Sequence, residues 1–231
     1  WYEETKQKKT LFDSLAEPES GYYARRDGIS DFILTQARKI YGSKTTKEDI
    51  FYYVYALLHN PDYRALYAAD LKKMLPRLPL LNDSSDFWRY VKAGRELADL
   101  HLHYEDYEKP NGVLVIYNAG TTINYEVTKM RFPANHKVDK RDIIYNDQII
   151  IQNIPAEAYE YVVNGKSAIE WIMERYQISA HKESGIVNDP NDWAREQGNP
   201  KYILDLLLSI ISMSVKTVEI VKTLPKVEFE K

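Results

Sequence analysis

Apolar residues recur at helical spacing over residues 30–40 and again over residues 47–59, with Gly42 between them as a stop. Thr46 followed by Asp49 has the form of an N-terminal cap. A third helical pattern covers residues 62–75 and is ended by Pro76 and Pro79, since proline lacks an amide donor and disfavours helical geometry in the residue before it. A fourth covers residues 85–102. The pattern changes at Pro110-Asn111-Gly112. Val113-Leu114-Val115-Ile116-Tyr117 is a β-branched run, a turn follows at Ala119-Gly120, and residues 122–132 continue extended, so a hairpin of these two segments is expected. Ile143-Ile144-Tyr145 and Gln148-Ile149-Ile150-Ile151 flank Asn146-Asp147, a second hairpin with a two-residue turn. Residues 155–161 and 167–176 return to helix, a polar loop follows, and Asn199-Pro200 opens a last helix through Ile203, Leu207, Ile210, Ser214, Val218 and Val221. The expected fold is α+β: a helical N-terminal layer, residues 1–108, followed by a small antiparallel sheet and C-terminal helices, residues 109–231.

Composition adds limits. The chain has 231 residues, 44% hydrophobic and 28% charged, enough for one large domain or two small ones. The longest apolar run, residues 206–215, is broken by serines and falls short of the roughly 20 apolar residues that span a bilayer. The absence of cysteine removes disulfides, cysteine-zinc sites and thiol nucleophiles, and agrees with a reducing cytoplasm. Trp1 in place of Met suggests a piece of a longer polypeptide. A net charge of -3 argues against sequence-independent nucleic-acid binding, which depends on many cationic contacts to phosphate. Nineteen tyrosines stand out, a residue that suits recognition surfaces and half-filled cores alike.

Four short motifs invite chemistry. Gly165-Lys166-Ser167 ends like a phosphate-binding loop, but the first glycine of that motif would be residue 160, which is Glu160. Ser167 with Glu170 reads better as a capping box after an Asn164-Gly165 turn. Asn60-Pro61-Asp62-Tyr63 is one letter from the Asn-Pro-Pro-Tyr of amino-methyltransferases, in which the aromatic ring stacks on a flipped base. The second proline is missing, and Pro61 serves equally well as a helix start. His101 and His103 with Glu105 could meet a metal on a strand but diverge on a helix. The loop Asp189-Pro190-Asn191-Asp192 lacks calcium-loop spacing and reads as a turn.

Longer phrases carry more. They are Arg26-Asp27-Gly28-Ile29-Ser30-Asp31, Lys47-Glu48-Asp49-Ile50-Phe51-Tyr52-Tyr53-Val54-Tyr55, Leu57-Leu58-His59-Asn60-Pro61-Asp62-Tyr63-Arg64, Leu75-Pro76-Arg77-Leu78-Pro79 and Ala93-Gly94-Arg95-Glu96-Leu97-Ala98-Asp99-Leu100-His101. The last two are the most specific: Tyr161-Val162-Val163-Asn164-Gly165-Lys166-Ser167-Ala168-Ile169-Glu170-Trp171 and Lys182-Glu183-Ser184-Gly185-Ile186-Val187-Asn188-Asp189-Pro190-Asn191. In this order they resemble the C-terminal specificity region of type ISP restriction-modification enzymes.

The resemblance implies a target-recognition module for double-stranded DNA. A nuclease, a helicase-like ATPase and an adenine-N6 methyltransferase would precede it in the same polypeptide. The module itself would hold no cofactor, while the parent would use S-adenosylmethionine, ATP and Mg. Partners would be the DNA and those upstream domains, without a membrane. Phrases shared across a family cannot set different targets, so they suit scaffold, domain contacts or phosphate clamps. Arg64, Arg77, Lys166, Arg175, Lys182, Ser184 and Asn191 are the candidates for DNA-backbone contact. Base readers are expected in the β region and its loops: Asn124, Lys129, Arg131, Asn135 and Lys137, which can make bidentate contacts. No catalytic residue and no metal ligand is assigned. The rival readings are a stand-alone adenine-specific DNA methyltransferase using residues 60–63 and a protein-interaction module bracing the methyltransferase.

Overall fold

The structure is a computed structural model that describes residues 2–4, 23–25, 27–73, 78–118, 120, 122–133 and 140–226. Arg77, Asn135 and Lys137 lie outside the described residues. A short antiparallel pair, β1 Tyr2–Glu4 with β2 Tyr23–Arg25, precedes the helices.

Local capping sets the first helices. The Ser30 hydroxyl accepts from Ile33 N–H at the start of α1 Asp31–Tyr41, and Gly42 closes it at φ 105°. Thr46 and Asp49 form a reciprocal capping box on α2 Lys47–Leu57. The expected third helix is shorter than its pattern: α3 is Pro61–Leu66, and the chain continues in tight turns through Asp70 and Lys73, bonded three residues apart. α4 is Ser84–Leu102, capped by the Asp83 carboxylate.

α2 and α4 approach so closely at Gly94 that a Cβ there would stand 1.9 Å from the Tyr52 carbonyl oxygen. Only glycine allows this crossing. One residue on, the Arg95 guanidinium donates to Glu48 and Asp49 on α2 and lies 4.4 Å over the Tyr52 ring. Several tyrosines fill this first core and send their hydroxyls to backbone carbonyls: Tyr41 to Leu81, Tyr53 to Pro79 and Tyr90 to Pro225. Burial pushes the Tyr41 and Tyr90 hydroxyls up to about 12.

The second core lies under a three-stranded antiparallel sheet in the order β3 Leu114–Tyr117, β5 Ile149–Gln152, β4 Ile143–Ile144. Ile143, Ile149 and Ile151 point inward and are fully buried. The expected hairpin of residues 113–117 with residues 122–132 does not form. β3 pairs instead with β5, Val115 opposite Ile151, because residues 124–127 are bonded by side chains and have no free ladder to offer. The β4–β5 hairpin forms as expected, but its turn is Asn146-Asp147-Gln148, since the Asn146 side chain accepts from the N–H groups of both Gln148 and Ile149. Residues 155–161 make only a 3-10 turn at Ala156–Tyr159.

Next come β6 Val162–Val163 and β7 Lys166–Ser167, joined by Asn164 and Gly165, both at positive φ, the geometry of a type I′ turn. Ser167 and Glu170 cap α5 Ala168–Arg175 reciprocally, as the sequence predicts. β8 Ser179–Ala180 pairs with β9 Val187–Asn188, and α6 is Asn191–Glu196. α7, Tyr202–Lys222, is buried along most of its length and serves both cores: Leu204 to Met213 pack under the sheet, Ile220 packs against both cores, and Val221, with Leu224 just beyond the helix, reaches the helical core. No helix among the described residues is long and apolar enough to cross a membrane.

Where the cores meet, His59, His101 and Tyr161 stack, with His101 and Tyr161 5.3 Å apart at 16°. Tyr55 and Thr217 bond the two ring nitrogens of His101 at 2.8 and 2.9 Å, so neither is open to a metal. No group of potential metal ligands occurs among the described residues. Burial, and then the neighbouring His59, bring His101 down to about 4, and burial lowers His59 as well.

Two predictions follow from this packing. Gly94→Ala should cost about 3 kcal/mol in chemical denaturation, because the added methyl must separate two helix backbones. Both histidines are lowered in the folded chain from about 6.5 when unfolded, so the unfolded chain protonates first; the stability they contribute is complete above about pH 6.5 and is lost as pH falls towards 4. The thermal midpoint should drop between pH 7 and pH 5, and the drop should shrink in His101→Gln. Parallel pH profiles for the two proteins would refute this account.

Candidate nucleic-acid interface

Residues 122–133 run extended without becoming a strand, touching the sheet through one isolated bridge between Arg131 and Ile144. Their backbone is held by side chains. Gln148 accepts from Asn124 N–H at 2.7 Å, Asn146 donates to the carbonyls of Asn124 and Glu126, and the Tyr145 hydroxyl donates to that of Tyr125. The Asn191 amide closes the set by accepting from Val127 N–H and donating to Val127 C=O, both at 2.9 Å. Asp189 accepts the remaining amide proton of Asn191 at 2.7 Å. Both amide protons and the amide oxygen are engaged inside the protein, and Asn191 is only 2% exposed. Asn191 therefore clamps the protein's own chain and offers no group to a DNA backbone.

This arrangement opens a cleft of about 390 Å³ lined by Asn124, Glu126, Lys129, Arg131, Ile144, Asp147 and Ile178, among others. Three candidate base readers, Asn124, Lys129 and Arg131, thus share one concave surface. Among the described residues neither Lys129 nor Arg131 has an ion-pair partner. The acid beside them is tied up: Arg195, one turn into α6, donates to Glu126 at 2.7 Å and also to Asp189 and Asp192. The Arg195 guanidinium holds the Glu126 carboxyl below the usual carboxylate range. Among the described residues the cleft keeps Lys129 and Arg131 as cations without an ion pair beside Asp147, an acid without one.

Other candidates are dispersed. Lys182 and Ser184 sit at the tip of the β8–β9 hairpin, whose root is bonded to the cleft wall by Ile178 N–H to Thr128 C=O at 2.9 Å. Ser184 is engaged within the tip, its hydroxyl 3.1 Å from His181 Nδ1. Lys166 pairs with Glu174, and it and Arg175 lie over the Trp171 ring at 5.1 and 5.4 Å. That is a knot around the capping box rather than a free phosphate site. Arg64 is exposed at the mouth of a separate cavity of about 470 Å³ between α3 and α7. Tyr63 is fully buried and Asn60 bonds the Tyr90 hydroxyl, so residues 60–63 offer no ring on which a base could stack. The sequence pattern missed Tyr145, Asn146, Gln148 and Arg195, which shape the cleft.

The family model of the Type ISP C-terminal specificity domain matches residues 1–206. The chain belongs to that family. This specificity domain is similar to part of LlaBIII, solved as an ATP-dependent Type ISP restriction-modification enzyme bound to DNA, with a TM-score of 0.78 and 38% identity over 99% of this chain. It is similar to part of a nuclease-deletion mutant of the Type ISP enzyme LlaGI in complex with a DNA substrate mimic, with a TM-score of 0.70 and 48% identity over 80% of the chain. A third likeness is to the cryoEM structure of a DrdV-DNA complex, with a TM-score of 0.69 and 27% identity over 85% of the chain. The specificity domain spans 13%, 17% and 20% of those three chains. No curated protein matches it.

The cleft of the specificity domain rests on Asn191. Asn191→Ala leaves the N–H and C=O of Val127 unpaired in the interior and should cost about 3 kcal/mol in denaturant unfolding. Asn191→Asp keeps the acceptor but sets a carboxylate against the Val127 C=O and the Asp189 carboxylate, and should cost at least as much as the alanine. A loss below about 1 kcal/mol in both variants would show that the amide pair is not what holds the segment.

Proposed function

We propose that this specificity domain reads a duplex DNA target for a Type ISP restriction-modification enzyme, and that the cleft wall of residues 122–133 supplies base-reading side chains. The observation that carries the reading is the convergence of Asn124, Lys129 and Arg131 on one cleft, with the neighbouring Glu126 neutralised by Arg195. Arg is suited to guanine by two parallel bonds in the major groove, and Asn124, whose amide oxygen accepts from Glu126 N–H, presents its amide protons to a base. The three similar structures, each holding DNA, support the same partner.

The methyltransferase and the ATP-driven nuclease would be upstream modules of the same cytoplasmic polypeptide and would hold its S-adenosylmethionine, ATP and Mg. With a net charge of -3, the domain relies on a few directed contacts and on tethering to those modules, which raises its effective concentration at the DNA. Backbone contacts are assigned to Lys182 and Arg64, which are exposed and have no ion pair among the described residues.

Mapping the methylated sequence of the parent enzyme tests the assignment. Arg131→Ala and Lys129→Ala should each relax choice at a base position by about 1–3 kcal/mol, whereas Lys182→Ala should weaken binding evenly and reduce the salt slope by about 1. Exchange of residues 120–140 with those of a relative should change the methylated sequence. If that sequence stays the same, the cleft does not read bases and the bracing role is the better account. Micromolar binding of the methyl donor by this domain alone would favour the methyltransferase rival.

A further inference from the structure

Residues 178–188 form a hairpin in which every residue is exposed, among them Ile178 at 39%, Ile186 at 68% and Val187 at 61%. Such a run of accessible aliphatics on a short two-stranded ribbon is costly in water unless something covers it. The ribbon is nonetheless well built. Ser179 pairs with Asn188 and Ala180 with Val187, His181 N–H donates to Ile186 C=O, and Gly185 N–H closes the tip onto His181 C=O with Gly185 at φ 69°. Residues that face each other across an antiparallel pair share a side, so Val187 stands with Ala180 on one face and Ile186 with His181 on the other. Aliphatic groups are thus presented on both faces. Lys182 and Glu183 share the tip, and Lys129 and Arg131 stand beside the root, cations that like Lys182 have no ion pair among the described residues.

We infer that this ribbon enters the major groove of the DNA and packs Ile186 and Val187 against the C5-methyl groups of thymine, with Lys182 at the phosphates. The inference rests on the DNA-reading function proposed above. Its dimensions suit the groove: paired strands are about 4.8 Å apart, and a two-stranded ribbon fits the groove's width of about 12 Å. The groove displays thymine methyls as its apolar feature, and cations on either side of an apolar stretch match a channel walled by phosphates. A thymine methyl marks T against the other bases, and residues 182–191 are among the phrases that carry the family resemblance, so the ribbon adds a thymine preference common to the family while the cleft beside its root discriminates the remaining positions.

The test is binding of the full polypeptide to its mapped target, prepared once with thymine and once with uracil in its place. Wild type should lose about fourfold in affinity for each contacted methyl removed. Ile186→Ser and Val187→Ser should lose a similar factor on thymine DNA and should no longer distinguish the two duplexes, with choice relaxed at the contacted thymines and kept at the other positions. The side chains are exposed, so the variants should fold. Indifference of wild type to uracil would overturn the inference, as would variants that weaken equally on both duplexes, the outcome expected of a ribbon that docks on another protein domain. A wild-type protein that fails to prefer its target over other DNA would instead sink the DNA-reading function itself.

Discussion

The bidentate bond between the Asn191 amide and the backbone of Val127 is the pivot of the interface half of the molecule. Val127 is fully buried, so its N–H and C=O need partners, and no strand is available to supply them. A side chain reaching across 64 positions of sequence does so instead. Because Asn191 opens α6, the same bond fixes where that helix begins and brings Arg195 to Glu126. The hairpin of residues 178–188 runs directly into Asn191 and is tied to Thr128 at its other end. Cleft wall, cleft charge and ribbon root are consequently one mechanical unit.

The helical half contributes stiffness rather than contacts. Gly94 lets α2 and α4 touch backbone to backbone, and Arg95 bonds the same pair from the side, so the first core has little freedom to shear. α7 passes that rigidity on, because its first turns lie under the sheet and its last turn packs in the helical core. The His59–His101–Tyr161 stack fills the seam between them. A recognition surface needs such a frame, since a contact placed an ångström off loses its directed bonds.

How much of this could be read from sequence depends on the range of each interaction. The capping boxes at Thr46 and Ser167 were legible because donor and acceptor lie three residues apart. The α+β class was legible from the shift of period near Pro110, and the family from long ordered phrases. The pairing of β3 with β5 was not, because nothing local says that residues 122–133 surrender their ladder to Asn146, Gln148 and Asn191. Asn191 itself looked like a loop residue free for phosphate, since residue type carries no mark of burial. The ribbon read as a polar loop because its strands are two residues each, too short for alternation to register, and its aliphatics Ile186 and Val187 are adjacent rather than spaced by two.

The low net charge acquires a physical meaning once the ion pairs are placed. Arg95, Lys140, Lys166, Arg195 and Lys222 each face a carboxylate of the protein and so contribute structure and little long-range field. Among the described residues Lys129, Arg131 and Lys182 do not, and they sit around the cleft and ribbon. On the proposed function, a surface built this way would attract DNA weakly at a distance and would gain most of its free energy only on close fit, where directed bonds and apolar contacts act. Such a balance would suit a module delivered to DNA by tethered neighbours, as proposed above, because weak non-specific attraction lets the wrong sequence go quickly. Strong unpaired charge would hold every sequence alike and erase the distinction that the cleft can make.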